Sequence, residues 1–285
     1  MSDVSGRVLL PFPPGCRLAR LVRREKRFTI VATDMQGQEL RAHTNNTGSM
    51  LGLLKPGTPA LLSPAPNPAR ALKWTLEALA LPGDSCLNNG AQGISAAPEG
   101  SMNAPKEPVN DPKGPWAGVN TQTPNRLLEA AFQAHLLPEA HGYSTLVREA
   151  KTGASRLDAL LTGAGLPLLY VECKNVTLVE DGQARFPDAA TERGRKHLAE
   201  LTRLAQEGHR AALFFLVQRP DGGVFAPAEA IDPDYARALA VALAAGVEAW
   251  VWRARIAEAG ISLAGRLPLA PAWAAHIRPK GALLP

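Results

Sequence analysis

Residues 149–174 read E-A-K-T-G-A-S-R-L-D-A-L-L-T-G-A-G-L-P-L-L-Y-V-E-C-K. Within them, SRLDALL (155–161) and LLYVECK (168–174) have strand composition, and TGAGLP (162–167) has turn composition. An antiparallel pair joined there has its midpoint near Gly165, which places Asp158 opposite Glu172. Directly opposed residues share a sheet face. Lys174 lies two residues beyond Glu172 and joins them, while Cys173 points to the other side, into the core. The run Leu168, Leu169, Tyr170, Val171 marks a largely buried strand. Carboxylates at the end of such a strand are costly unless they are used.

Two carboxylates side by side repel unless a cation separates them. Oxygen ligands from Asp and Glu suit Mg²⁺ or Mn²⁺. Such an ion lowers the pKa of a bound water and stabilises charge on a phosphoryl oxygen, and a nearby Lys neutralises charge as it develops. The pattern therefore predicts a metal-dependent phosphodiester-cleaving site. Its expected catalytic residues are Asp158, Glu172 and Lys174. Its expected metal ligands are Asp158, Glu172 and, from the preceding segment, Glu149. The plainer alternative is a pair of edge carboxylates, solvated or paired with Lys174 and Arg156.

Outward from this segment, strands alternate with helices, as in an α/β domain. Pro124 opens a helix to Ala134 with Thr123 as its cap, and Leu127, Leu128, Ala131 and Phe132 share one face. Residues 188–207 read as a helix capped by Asp188. AALFFLVQ (211–218) reads as a buried strand, Asp232-Pro233 opens an Ala-rich helix, and VEAWVWR (247–253) is a further strand. Before residue 82 the pattern is of short strands. RFTIVATD and QELRAHTN form a hairpin around Met35-Gln36-Gly37, and GTPALLS (57–63) follows. ALKWTLEALA (71–80) suits a strand or a helix equally. This spacing fits a small β-barrel.

Charge and composition are unevenly placed. The 285 residues carry a net charge of +5. Residues 1–81 hold 11 basic and 5 acidic side chains, whereas 116–285 hold 18 and 17. Arg17, Arg20, Arg23, Arg24, Lys26 and Arg27 put six basic residues in eleven positions, and Arg70 and Lys73 extend them. Such a run suits a phosphate backbone, with Phe28 and Trp74 as candidate stacking residues, or else a solvated barrel face. Residues 82–115 hold six Pro and five Gly in 34 positions with almost no large apolar residue, which predicts a disordered insertion or linker. Asn46, Thr47, Asn120 and Asn125 suit bracing between domains better than ligand contact. No apolar run approaches 18 residues, no signal pattern opens the chain, and Cys16, Cys86 and Cys173 lie far apart. The expectation is a cytoplasmic protein with no membrane partner and no disulfide framework.

The pattern of Asp158 with Glu172-Cys173-Lys174 resembles the core motif of the PD-(D/E)xK nuclease superfamily. More closely, the chain resembles the sugar fermentation stimulation protein A family. The matching blocks are HTNNTGSMLGLLKPG (43–57), GVNTQTPNRLL (118–128), REAKTGASRLD (148–158), VECKNVTL (171–178), FPDAATERGRKHLAEL (186–201) and GHRAALFFLVQR (208–219). The resemblance implies an N-terminal OB-like barrel and a nuclease-like α/β domain with a mixed central sheet. The expected division is 1–81 for the barrel, 82–115 for the insertion, 116–270 for the α/β domain and 271–285 for a loose tail. Residues 116–121 are a candidate to complete the barrel. The resemblance also implies sequence-nonspecific binding of DNA, with RNA not excluded, and a link to regulation of sugar (maltose) metabolism. It leaves nuclease activity as the alternative. It points to the 188–207 helix as part of the site through Lys196 and His197, although Glu192 and Lys196 are also spaced for a surface ion pair. Gln218, at the end of the next strand, is expected to reach the same cleft. The insertion 82–115, ECK in place of the more usual EVK, and the tail depart from the family pattern.

Overall fold

The computed structural model describes residues 7–82, 115–153 and 155–277, so most of the Gly/Pro-rich stretch and the end of the tail lie outside the described residues. After a two-residue strand β1 (Leu10–Pro11) come β2 (Arg17–Glu25), β3 (Thr29–Asp34), β4 (Glu39–His43), β5 (Pro59–Pro64) and β6 (Trp74–Ala80). The β3–β4 turn forms where expected. Asp34 Oδ1 accepts the N–H groups of Gln36 and Gln38, and Gly37 takes the left-handed conformation, φ 83°. The hydrogen-bonded order is β4-β3-β2-β5-β6, and a parallel pairing of β4 with β6 closes the ring. This is the expected small barrel. Of the ambiguous 71–80 segment, Trp74–Ala80 form strand β6, buried on both sides. Leu76 and Leu79 pack in the barrel core, and Ala78 packs in the neighbouring α/β core.

β7 (Trp116–Gly118) returns to the barrel and pairs antiparallel with β6. The Leu81 N–H donates to the Pro115 carbonyl at 2.8 Å, so the chain leaves and re-enters at one point. β1, by contrast, pairs with the last long strand of the other sheet. The barrel thus starts at Arg17, and the preceding segment straps across to the α/β layer.

That layer comprises α1 (Thr123–Gln133), β8 (Thr145–Thr152), β9 (Ser155–Thr162), β10 (Leu169–Val176), β11 (Leu178–Glu180), β12 (Gln183–Phe186), α2 (Glu192–Gln206), β13 (Arg210–Val217), β14 (Val224–Pro227), α3 (Pro233–Ala244), β15 (Glu248–Ala257), β16 (Gly260–Arg266) and a single turn, α4 (Pro271–Ala274). The main sheet runs β1-β16-β15-β13-β10-β9-β8, with β10, β13 and β15 parallel and the others antiparallel, so it is mixed. β11, β12 and β14 form a small separate sheet.

Burial follows strand alternation. In β13, Ala212, Phe214 and Leu216 face a cluster with Leu127, Leu128 and Ala131 of α1 and with Leu61, Ala78 and Trp116 of the barrel sheet. Ala211, Leu213, Phe215 and Val217 face Leu198, Leu201 and Leu204 of α2 and Tyr235, Leu239 and Leu243 of α3. Each fully buried Leu, Val or Phe among them contributes about 2 kcal/mol.

Two helix starts differ from expectation. α2 begins at Glu192, with Thr191 as its cap, because Thr191 Oγ1 accepts the Gly194 N–H at 3.0 Å. Asp188 is engaged elsewhere, accepting the Met50 N–H at 3.3 Å from a barrel loop. In α1, Thr123 is the first helical residue, and Asn120 Oδ1 accepts the Gln122 N–H at 3.0 Å. In the tail, Trp273 packs against the α2–α3 side of the core.

Candidate functional site

β9 and β10 pair as Leu161–Leu169, Leu160–Tyr170 and Ala159–Val171, the register set by a midpoint at Gly165. The ladder ends there. At the next step Asp158 does not extend it. Its Oδ2 accepts the Cys173 N–H at 2.8 Å, and its Oδ1 accepts Asn125 Nδ2 of α1 at 2.6 Å. Backbone N–H groups lie in the plane of a sheet. The Asp158 carboxylate therefore sits in the fork between the two strands and not on a shared face.

Glu172 and Lys174 do share a face, as period two requires, and both are buried against α2. Lys174 Nζ donates to Glu172 Oε1 at 2.7 Å. His197 of α2 reaches the same oxygen through Nδ1, and its Nε2 receives Arg193 Nε at 3.4 Å. Lys174 Nζ also lies 3.4 Å from Nδ1, so Glu172, Lys174 and His197 form one buried cluster. The second oxygen of Glu172, Oε2, is buried with no hydrogen-bond partner among the described residues.

The two carboxylates have opposed electrostatics. Burial, then the Glu172 charge, pushes the Asp158 carboxyl above its usual range despite the bonds from Cys173 and Asn125. Burial also works against ionised Glu172, but the Lys174 ammonium and His197 outweigh it and hold that carboxyl down to about 2. Asp158 and Glu172 fit a divalent cation as oxygen donors, since it would satisfy Oε2 and offset the burial and repulsion that raise Asp158.

The remaining predicted residues scatter. Glu149 has φ 54°, and its exposed carboxylate pairs with Arg156 at 2.8 Å in solvent. Lys196 is exposed and pairs with Glu192 at 2.8 Å. Gln218 is fully buried and donates to the Asn120 carbonyl at 3.2 Å and to Asn175, so it ties the end of β10 to the barrel junction. Asn120 and Asn45 complete that brace, and Asn120 Nδ2 also donates to Glu77 at 2.8 Å. Asn125, read as a brace, instead orients Asp158. A signal was present: 125, 128 and 132 follow helical spacing on the buried side of α1, so a polar residue at 125 faces the sheet. Arg193, which backs His197, carries no such signal.

The basic run also divides. Arg17 lies over Trp74, 5.0 Å from the ring, and reaches Asp34 at 3.4 Å. Arg24 donates to the carbonyls of Gly48, Arg27 and Asn46. Arg23 shares Glu25 with Arg41. Lys73 is tied to the Pro68 carbonyl at 2.7 Å, and Arg20 touches the Gly57 carbonyl at 3.1 Å while staying exposed. Arg27 stands over the exposed Phe28 ring at 5.9 Å, and Lys26 occupies the hairpin turn at φ 52°.

Residues 22–87 match the model described as the SfsA N-terminal OB domain, and residues 122–260 match that of the sugar fermentation stimulation protein RE domain. The chain belongs to the sugar fermentation stimulation protein family. It is 50% identical over 264 residues to the sugar fermentation stimulation protein homolog of Maridesulfovibrio salexigens, covering 92% of this chain and 97% of the relative. The homolog of Lawsonia intracellularis is 47% identical over 263 residues, covering 92% and 98%. Among solved structures, one described as Pyrococcus furiosus SfsA in complex with Ca²⁺ superposes with a TM-score of 0.76 at 25% identity, covering 93% of this chain and all of that one. The family thus carries the two-part architecture found here, an OB barrel and a nuclease-like α/β domain. No helix among the described residues is long and apolar enough to cross a membrane.

Proposed function

We propose that the protein binds nucleic acid without sequence preference and that its Asp158–Glu172–Lys174 site hydrolyses phosphodiester bonds with a divalent cation, Mg²⁺ or Mn²⁺. The observation that carries this reading is Glu172 Oε2, buried and unpartnered beside a second carboxylate that burial and repulsion destabilise. The Ca²⁺ in the related Pyrococcus furiosus structure supports a family site that accepts hard cations. When bound, such an ion supplies Lewis-acid polarisation of a phosphoryl oxygen and a more acidic water.

The chain's own groups have distinct tasks in this reading. Asp158 and Glu172 hold the ion, and Asn125 and the Cys173 N–H fix the Asp158 carboxylate in the fork. His197 holds Glu172 from α2. Lys174, bonded to Glu172 Oε1, keeps that carboxylate ionised and offers an ammonium to the charge that grows on the phosphate. Arg20, Lys26 and Arg27 on the barrel supply sequence-independent phosphate contacts. The relatives' name, sugar fermentation stimulation, fits a regulatory role exercised through nucleic acid.

The test is a cleavage series on single-stranded, duplex and branched DNA and on RNA, with and without Mg²⁺ or Mn²⁺, comparing wild type with Asp158→Ala. Metal-dependent cleavage lost in the variant is the expected result. No cleavage of any substrate would sink the hydrolytic reading, and no mobility shift at low salt would sink the nucleic-acid reading.

A further inference from the structure

Four carboxylates, Asp34, Glu77, Glu172 and Asp232, are among the buried polar residues. Three of them have a cationic partner: Asp34 has Arg17, Glu172 has Lys174, and Asp232 has Arg195. Glu77 has none among the described residues. Its oxygens accept only neutral donors, Ser63 Oγ at 2.6 Å and Asn120 Nδ2 at 2.8 Å. A buried carboxylate without a counter-charge is expensive.

Glu77 is also not sealed in protein. It lines a cavity of about 700 Å³ where the barrel meets the α/β layer, within the size range of small-molecule sites. The wall provided by the N-terminal strap and by the end of β5 and the loop after it is apolar and rigid: Pro11, Phe12, Pro13, Pro14, Pro64 and Pro66. The rest of the lining is polar: His43, Asn45, Thr75 and Asn120 lie with Glu77, and Arg70 there is already committed to the Leu72 and Trp74 carbonyls and Thr75 Oγ1. At the rim stands Arg126 of α1, exposed and with no ion pair or side-chain hydrogen bond among the described residues. Gln122, one helical turn before it, lines the cavity too. Between them in sequence, Asn125 holds Asp158. One helix therefore presents Arg126 to the cavity and Asn125 to the carboxylate fork.

We infer that this cavity is a nucleotide-binding subsite. The proline and Phe12 wall fits the flat face of a base or sugar ring. Glu77, an acceptor when ionised, takes the hydroxyl or amino donors of that ring. Arg126 takes the phosphate. Hydroxyl-rich ligands without an anionic group would leave Arg126 unused, and inorganic phosphate would leave Glu77 and the apolar wall unused. The inference rests on the nucleic-acid reading above for its ligand class, but not on hydrolysis. The same chemistry serves a nucleotide within a strand or a free mononucleotide.

The experiment is calorimetric titration of the full chain, without divalent metal, with adenosine 5′-monophosphate and its deoxy counterpart, against adenosine and inorganic phosphate. One saturable mononucleotide site is expected, with inorganic phosphate at least about tenfold weaker. Arg126→Ala should weaken the mononucleotide about tenfold and leave adenosine unchanged, as removal of a phosphate contact predicts. Gln122→Trp, which fills the mouth from an exposed position, should abolish both. No mononucleotide binding, inorganic phosphate binding as tightly, or binding indifferent to Gln122→Trp would overturn the inference. A labelled single-stranded oligonucleotide on the Asp158→Ala background separates the sources. Weaker strand binding in Gln122→Trp assigns the nucleotide to a strand, and unchanged strand binding alongside lost mononucleotide binding assigns it to the free pool. Because these readouts are binding alone, absence of cleavage would leave them standing, and cleavage without mononucleotide binding would reject the subsite alone.

Discussion

In β2 and its turn, six basic residues fall within eleven positions, and the fold sends them to different tasks; in β9 and β10, three charged residues lie up to sixteen positions apart, and the fold brings them together. The difference is one of backbone geometry. A bulge between Leu21 and Arg23 shifts the alternation of β2, so Arg20 stays outside while Arg24 turns to three loop carbonyls. Lys26 leaves the strand altogether at the hairpin turn. The β9–β10 ladder runs without a bulge from its turn to Ala159–Val171, and that register brings Asp158 to the Cys173 N–H, beside Glu172 and Lys174. Adjacency in sequence is thus a poor guide to a shared surface, whereas strand register is a good one.

The comparison breaks most sharply at the fork. Asp158→Ala should lower metal-dependent cleavage by about a thousandfold, as expected when a metal ligand is lost, with the circular dichroism spectrum unchanged. If cleavage persists at the wild-type rate, the convergence of these side chains has no chemical purpose.

Lys174→Met should cost about 3 kcal/mol in denaturant unfolding, because Glu172 then keeps a buried charge without its ammonium partner. A Lys174→Met, Glu172→Gln double variant should recover part of that loss. Failure to recover would show that Lys174 matters through packing and not through charge.

Within β2 the two kinds of arginine should separate by assay. Arg24→Ala removes three carbonyl contacts at once and should destabilise the barrel by about 2 kcal/mol. Arg20→Ala and Arg27→Ala should leave the unfolding midpoint unchanged and each reduce the salt slope of nucleic-acid binding by about 1. If Arg24→Ala lowered affinity without lowering stability, the division of labour argued for β2 would be wrong.

The smallest expected effect is at the start of α2. Thr191→Ala should cost about 1 kcal/mol by freeing the Gly194 N–H, whereas Asp188→Ala should loosen the 46–50 barrel loop without fraying the helix, measurable by hydrogen exchange.

What was legible in the sequence follows the same division. The barrel hairpin, the β9–β10 register and the α1, α2 and α3 helices were readable because local turn residues and apolar spacing set them. The parallel β4–β6 closure and the β1–β16 pairing were not, since nothing in either partner's sequence names the other. β8, with the mixed pattern of an exposed edge, and β16, with its Gly and Ser residues, were not read as strands. At the site, Glu172 and Lys174 were placed by period two. The in-plane position of Asp158 was not, because it depends on the ladder stopping one residue short. Glu149 falls opposite Asp158 in the β8–β9 register, but with its φ of 54° its exposed carboxylate pairs with Arg156.

The Leu81–Pro115 hydrogen bond has a consequence of another kind. Because β6 and β7 lie side by side and the chain departs and returns across a single bonded pair, the ends of the intervening stretch are already held together by the barrel. The barrel itself therefore fixes the spacing of those two ends. The fold has in effect a socket there. A foreign domain whose own termini lie close together should plug into it and leave the Asp158 fork undisturbed.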